Sequence, residues 1–124
     1  MSLRFLRFVS DAEFAEFRAN RRLLPSRKSW PPYSPADNVV FLFYEDKISA
    51  ADLLAYVDQH VEARGPLHLL RITFNLLSVH RIMPDESNIQ PVSVVHRGPI
   101  VESENVRIDY LARFHHGDDP LLLL

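Results

Sequence analysis

Residues 39–44 read Val-Val-Phe-Leu-Phe-Tyr, an almost unbroken apolar run. Such a run reads as a central strand buried on both faces. Leu67 to Phe74 reads as a second central strand. A sheet with two strands of this kind needs enough chain around it to close a core. At 124 residues, with 47% apolar and 24% charged residues, the chain has globular proportions. A chain of this length buries roughly two-thirds of its unfolded surface, so it needs neither a metal nor a disulfide to fold. The length also points to one domain spanning residues 1–124.

Two helix starts are written into the sequence. Leu3 to Val9 reads as a strand, and Ser10 follows as an N-cap with Glu13 at N3. Val9 and Phe14 occupy the positions of a hydrophobic staple. Phe14 and Phe17 share one face of this helix, which should end near residues 20–22. The second helix repeats the pattern. Ser49 caps it, Asp52 sits at N3, and Ile48 and Leu53 form the staple pair. Leu53, Leu54, Val57 and Val61 make its buried stripe, and Gly65-Pro66 stops it.

Between these helices, residues 23–38 hold four prolines and read as a proline-rich loop, long enough to suggest a purpose. The last third reads as strands and turns. Val79 to Met83, Val92 to His96 and Val106 to Phe114 are strand candidates, with turns at Pro84–Pro91 and Arg97-Gly98-Pro99. Residues 115–124 read as a flexible tail. The expected fold is therefore α+β, a mixed sheet of five to six strands with two α-helices packed on it. Phe14, Phe17, Leu53, Val57 and Val61 should bury against Phe41, Phe43, Leu69 and Ile72.

Composition removes several chemistries. With no cysteine, there is no disulfide framework, thiolate metal site, iron–sulfur cluster or cysteine nucleophile. Three glycines exclude a phosphate-cradling loop of P-loop or Rossmann type, so any bound phosphate must be held by side chains. No Gly-x-Ser-x-Gly elbow occurs. The six histidines show no tight metal spacing, and no metal site is expected. His68 and His96, on strands, read as satisfied core or surface histidines. Charges in the first seven residues and the absence of a run of ~20 apolar residues argue against a signal peptide and a membrane span, so the expectation is a cytoplasmic protein.

Charge is lopsided. Residues 1–30 carry seven basic and three acidic side chains; the remainder carries seven and thirteen. Arg18, Arg21, Arg22, Arg27 and Lys28 have no acid among them in sequence. Guanidinium groups pair bidentately with phosphate oxygens, so this cluster suits a phosphorylated ligand or nucleic acid. The plain alternative is a solvated helix end, where cations suit the dipole. Trp30-Pro31-Pro32-Tyr33 places aromatic rings on a stiff loop, fit either to stack on a ligand ring or anchor a partner, or to pack the loop on the domain. Glu102 and Glu104, just after the Gly98 turn, are candidates for a base or for stabilising a cationic transition state; otherwise they are solvated loop acids.

The pattern Phe5-Leu6-Arg7-Phe8-Val9-Ser10-Asp11-Ala12-Glu13-Phe14 resembles the first strand and capped helix of small ADP-ribosyltransferase-like proteins. Val40-Phe41-Leu42-Phe43-Tyr44, a helix, and Leu67-His68-Leu69-Leu70-Arg71-Ile72 are similar to that family's central aromatic strand, helix and long strand. Val95-His96-Arg97-Gly98-Pro99-Ile100, then Glu102 and Val106-Arg107-Ile108, is similar to its late turn and final strands. The middle strand carries no Ser-Thr-Ser triplet. The resemblance implies NAD as donor, with transfer of ADP-ribose to an acceptor it does not specify. It implies that Arg7, or Arg4, holds NAD, with Phe43 or Tyr44 beside the nicotinamide. Glu102 or Glu104 would stabilise the oxocarbenium-like centre, and Arg27 and Trp30 would lie near the phosphates or rim. A second expectation is a non-catalytic interaction module that docks a protein or nucleic acid through residues 18–33.

Overall fold

The computed structural model describes residues 2–25, 37–49, 51–53, 55, 66–75, 81–84 and 93–114. Strand β1 (Ser2–Ser10) runs into helix α1 (Asp11–Asn20), followed by a short β2 (Arg22–Leu23) and β3 (Val39–Tyr44). Residues 51–53 are helical. Then come β4 (Leu67–Asn75), β5 (Ile82–Pro84), β6 (Ser93–Arg97), β7 (Ile100–Val101) and β8 (Val106–Phe114). Six strands form one sheet in the order β5-β6-β3-β1-β4-β8, and β2 pairs with β7 in a separate two-stranded ribbon. The fold is α+β. No helix among the described residues is long and apolar enough to cross a membrane.

Every described ladder is antiparallel, where a mixed sheet was expected. A strand, a helix and a strand in direct succession give a parallel pair. Here α1 is followed by β2 and residues 24–38, and β3 begins at the end of the sheet where β1 stops. The expected loop over 23–38 is also shortened, since Leu23 is buried and pairs with Ile100. Two-residue strands carry no periodic signal, so β2 and β7 exist only through this distant pairing.

β1 lies at the centre. It pairs with β4 along its full length, from Ser2↔Asn75 to Ser10↔Leu67. With β3 it makes only the pairs Phe5↔Tyr44 and Leu6↔Phe43. Alternation sends side chains to two cores. One face of the sheet gathers Phe5, Val9, Val40, Leu42, Leu70, Ile72 and Phe74 beneath Phe17 of α1. The other gathers Leu6, Phe8, Phe43, Leu67, Leu69 and Phe114 with Leu53 from the helical turn at 51–53. The expected core residues thus divide between two faces, and Phe41 is only half-buried. Val57, Val61 and the tail at 115–124 lie outside the described residues.

Both predicted caps form. The Ser10 hydroxyl accepts from Glu13 N at 3.3 Å. The Ser49 hydroxyl accepts from Asp52 N at 3.1 Å, and the Asp52 carboxylate accepts from Ser49 N at 3.3 Å, a reciprocal capping box. In β8 the register slips opposite Leu69/Leu70, so Tyr110 pairs with Leu70 and Ala112 with Leu69. Leu111 is the extra residue of a β-bulge: Tyr110 keeps to the α1 face with Val106 and Ile108, and the bulge sends Ala112 and Phe114 to the opposite core.

Candidate functional site: a tyrosine–histidine–aspartate relay

Residues expected to hold NAD are mostly engaged within the protein. Arg7 lies where the β1–β3 ladder has ended and spans the gap. Its Nη1 donates to the Phe41 carbonyl at 2.8 Å and its Nη2 to Glu13 Oε2 at 2.6 Å. Its side chain is 11% exposed, and its Nε is buried without a hydrogen-bond partner. Glu13 therefore serves β1 as well as its helix. Arg4 is exposed on the opposite face of β1, beside Thr73. Phe43 and Tyr44, adjacent in β3, point to opposite faces. Phe43 is buried, whereas Tyr44 is half-buried against Phe5 at 5.2 Å between ring centroids, with Lys47 Nζ 4.3 Å over its ring.

The two glutamates are separated from Arg7. Glu102 accepts from Arg21 Nε at 2.8 Å, from Arg21 Nη2 at 3.1 Å and from the Ile108 backbone N–H at 2.9 Å. The Arg21 guanidinium, with help from the Ile108 N–H, holds the Glu102 carboxyl below its usual range against the opposing effect of burial. Arg21 caps the C-terminal end of α1, and Glu13 lies in its first turn. Eight residues of helix, about 12 Å, separate these two anchors. Glu104 instead lines a shallow groove of about 300 Å³ with Ser2, Thr73, Asn75, Asn105 and Arg107. That groove lies about five strand residues, roughly 17 Å, from Arg7 and on the other side of the sheet.

Two members of the basic cluster are paired with acids, one of them remote in sequence. Arg21 is held by Glu102, and Arg22 Nε donates to Glu16 Oε1 at 2.7 Å. Arg18 remains exposed, its guanidinium 5.9 Å from the Phe14 ring centroid. Arg27 and Trp30 lie outside the described residues, as does half of the 18–33 segment expected to dock a partner, residues 26–33. Among the described residues no group of three or more His, Asp or Glu side chains gathers as a metal site would.

A different constellation forms over the other end of α1. His68 sits in β4 on the α1 face, in register with Val9 of β1. It is 5% exposed, a polar residue at a core-facing position. Both ring nitrogens find partners. Nε2 lies 2.5 Å from Asp11 Oδ1, and Nδ1 lies 3.1 Å from the Tyr110 hydroxyl. The Phe14 ring stacks on the imidazole at 4.3 Å and tilts against the Tyr110 ring at 5.0 Å. Asp11 occupies the first position of α1, just past the Ser10 cap, so the helix start aims it at the sheet. Alternation along β8 from Val106 and Ile108 brings Tyr110 to this face from the other side.

The donor pattern follows from the groups themselves. A carboxylate only accepts, so Nε2 carries the hydrogen donated to Asp11. In neutral His68, Nδ1 then holds a lone pair and accepts the Tyr110 O–H. Tyr110 is 45% exposed and the Asp11 side chain 62%, so both ends of this chain of hydrogen bonds reach the surface while its middle is buried. The arrangement can move a proton from the phenol to the imidazole, with Asp11 stabilising the imidazolium formed.

The expectation of a satisfied histidine at position 68 fits both contacts. Asp11 and Tyr110 carried no functional expectation. Alternation in β4 offered one signal, since it places His68 on the same face as Leu70 and Ile72, where a polar ring must find partners. No family model matches the chain, and no curated protein or solved structure matches it.

Proposed function

We propose that this domain is an acid–base centre in which the Tyr110 phenol meets a small substrate and His68, oriented by Asp11, takes up or returns its proton. The observation that carries this reading is the double engagement of a buried imidazole. A carboxylate fixes one nitrogen, and the hydroxyl of Tyr110, a residue 45% exposed, occupies the other. General acid–base catalysis needs that combination of a positioned base, an oriented tautomer and access. Phe14 lies over the imidazole and excludes water from one side of it.

The test is a titration of the ring carbon bearing the Tyr110 hydroxyl, followed by NMR. Coupling predicts that this signal reports the protonation of His68, and that His68→Gln removes the response. A Tyr110 signal indifferent to His68 would overturn the reading.

NAD-dependent ADP-ribosyl transfer is the second reading, favoured by the placement of Arg7, Tyr44 and Glu102 on the α1 side of the sheet. It requires Arg7 to leave Glu13 and the Phe41 carbonyl, and Glu102 to leave Arg21. Calorimetric titration with NAD tests it separately. NAD binding that Arg7→Ala weakens would support it, and an absence of binding heat would remove it.

A further inference from the structure

Two cations share the face that bears the phenol. Arg18 lies one helical turn beyond Phe14 and places its guanidinium against the ring that touches both His68 and Tyr110. Arg113 is the ladder partner of His68 across the β4–β8 pair and is exposed. Beyond the bulge, Ala112 and Phe114 point to the opposite core, so alternation sends Arg113 to the α1 face. Neither arginine makes an ion pair among the described residues, in contrast to Arg7, Arg21 and Arg22. The Asp11 carboxylate on this face is directed at His68.

We propose that Tyr110 is a nucleophile and covalent acceptor for a phosphoryl group delivered by an activated phosphate ester, with Arg18 and Arg113 attracting the anion. The inference rests on the relay reading above. A neutral phenol is a poor nucleophile and improves when an adjacent base removes its proton during attack. The Tyr110 oxygen forms a bond to phosphorus while its proton passes to His68 Nδ1. The bond from phosphorus to the leaving alkoxide or phenolate breaks, and that oxygen departs with the electron pair. Asp11 stabilises the imidazolium until the proton is released to solvent. The products are a tyrosyl phosphate, the departed oxyanion and one proton. Guanidinium groups suit the phosphoryl oxygens because they present forked donors and stay charged.

Two chromogenic probes test this on the full chain, p-nitrophenyl phosphate as the anionic electrophile and p-nitrophenyl acetate as the neutral one. Release of p-nitrophenolate is followed by absorbance, and the adduct is located by peptide mass spectrometry. The expected result is an adduct on Tyr110 from both probes, in preference to Tyr44. Tyr110→Phe removes it. His68→Gln slows it about a hundredfold, the scale of general-base assistance. Arg18→Ala with Arg113→Ala slows the phosphate probe about tenfold or more beyond any slowing of the acetate probe. Labelling by acetate alone, or equal loss of both probes in the arginine variant, overturns the phosphoryl assignment. No Tyr110 adduct from either probe overturns the nucleophile, and the NMR coupling between Tyr110 and His68 then tells whether the relay reading falls with it. Far-ultraviolet circular dichroism of each variant verifies that it is folded.

Discussion

At the C-terminal end of α1, Arg21 donates twice to Glu102, Glu102 accepts a third bond from the Ile108 N–H, and the guanidinium lies 4.2 Å over the Phe17 ring. At the N-terminal end, Asp11 fixes His68 and His68 meets Tyr110, whose ring is nearly half exposed. Both ends join the helix to β8 or the turn before it through an ionisable pair and an aromatic ring. They differ in how the chain of contacts finishes. The Arg21 end closes on a backbone amide, so its charged groups are consumed in holding the fold. The His68 end finishes on the hydroxyl of Tyr110, a residue 45% exposed. The difference lies in the hydrogen-bonding partners rather than in exposure, since the Arg21 side chain is itself 51% exposed.

The Arg21 end also offsets a local cost. Arg21 sits at φ 52°, a left-handed conformation that favours glycine. For other residues that conformation costs roughly 1–2 kcal/mol. The Arg21 N–H still reaches the Phe17 carbonyl at 2.7 Å, and Glu102 N donates to the Arg21 carbonyl at 3.0 Å. A glycine would fit the turn but would give up the guanidinium.

The largest effect should come from Phe17→Ala, which breaks both ends together. Phe17 is buried, lies under Arg21 and stacks with Phe14 at 6.2 Å. Truncating a buried phenylalanine costs about 3–5 kcal/mol. Urea denaturation should show that loss, and a loss under about 1 kcal/mol would mean that α1 is held by its polar ends rather than by this ring.

Glu102→Ala should separate the ends. It leaves the Ile108 N–H and the Arg21 guanidinium without their acceptor, for about 1–3 kcal/mol. Denaturation should register this, while Tyr110 should still respond to His68 in the NMR titration. A Tyr110 response lost in Glu102→Ala would show that the two ends act as one unit.

Residues with local signals were legible in the sequence. The apolar run at Val39–Tyr44 and the alternation in Val106–Phe114 matched β3 and β8 residue for residue. Ser10 and Ser49 capped helices because the N–H groups that donate to them are three residues away. What failed was partnership across the chain. Arg21 looked unneutralised because its acid lies 81 residues on, and Arg7 looked free because the Phe41 carbonyl lies 34 residues on. The relay draws on Asp11 and Tyr110, 57 and 42 residues from His68. Tyr110 shares the face of Val106 and Ile108 by ordinary alternation, and the bulge at Leu111, which composition does not announce, redirects only the residues after it. Charge read along a sequence misleads wherever antiparallel pairing brings distant acids to a helix end.

Acid should weaken the closed end selectively. Arg21 holds the Glu102 carboxyl below its ordinary value, so the folded state binds that proton less readily than the unfolded state. The stabilisation is therefore present above the unfolded value, about pH 4.3, and is lost as pH falls through the lower folded value. Solvent screens the pair, so the effect should be at most about 1 kcal/mol. Thermal denaturation between pH 6 and pH 3 should show a shallower decline in Glu102→Gln than in the parent. Parallel declines would mean that the acid sensitivity lies elsewhere.

Tyr110→Phe should change stability least, and it probes the comparison most directly. The substitution keeps the ring against Phe14 and removes only the hydroxyl oxygen at His68 Nδ1. Tyr110 is exposed enough for water to take that oxygen's place, so the cost should be about 0.5 kcal/mol or less, the range of ordinary surface changes. Glu102→Ala has no such substitute, because the Ile108 N–H it satisfies belongs to β8 and is partly buried. If Tyr110→Phe instead costs about 2 kcal/mol, the imidazole cannot be satisfied by solvent. The Tyr110 hydroxyl would then be a clamp of the same kind as Glu102, and the open side of the relay would have no chemical use. Urea denaturation of the two variants side by side decides between a closed end and an open one.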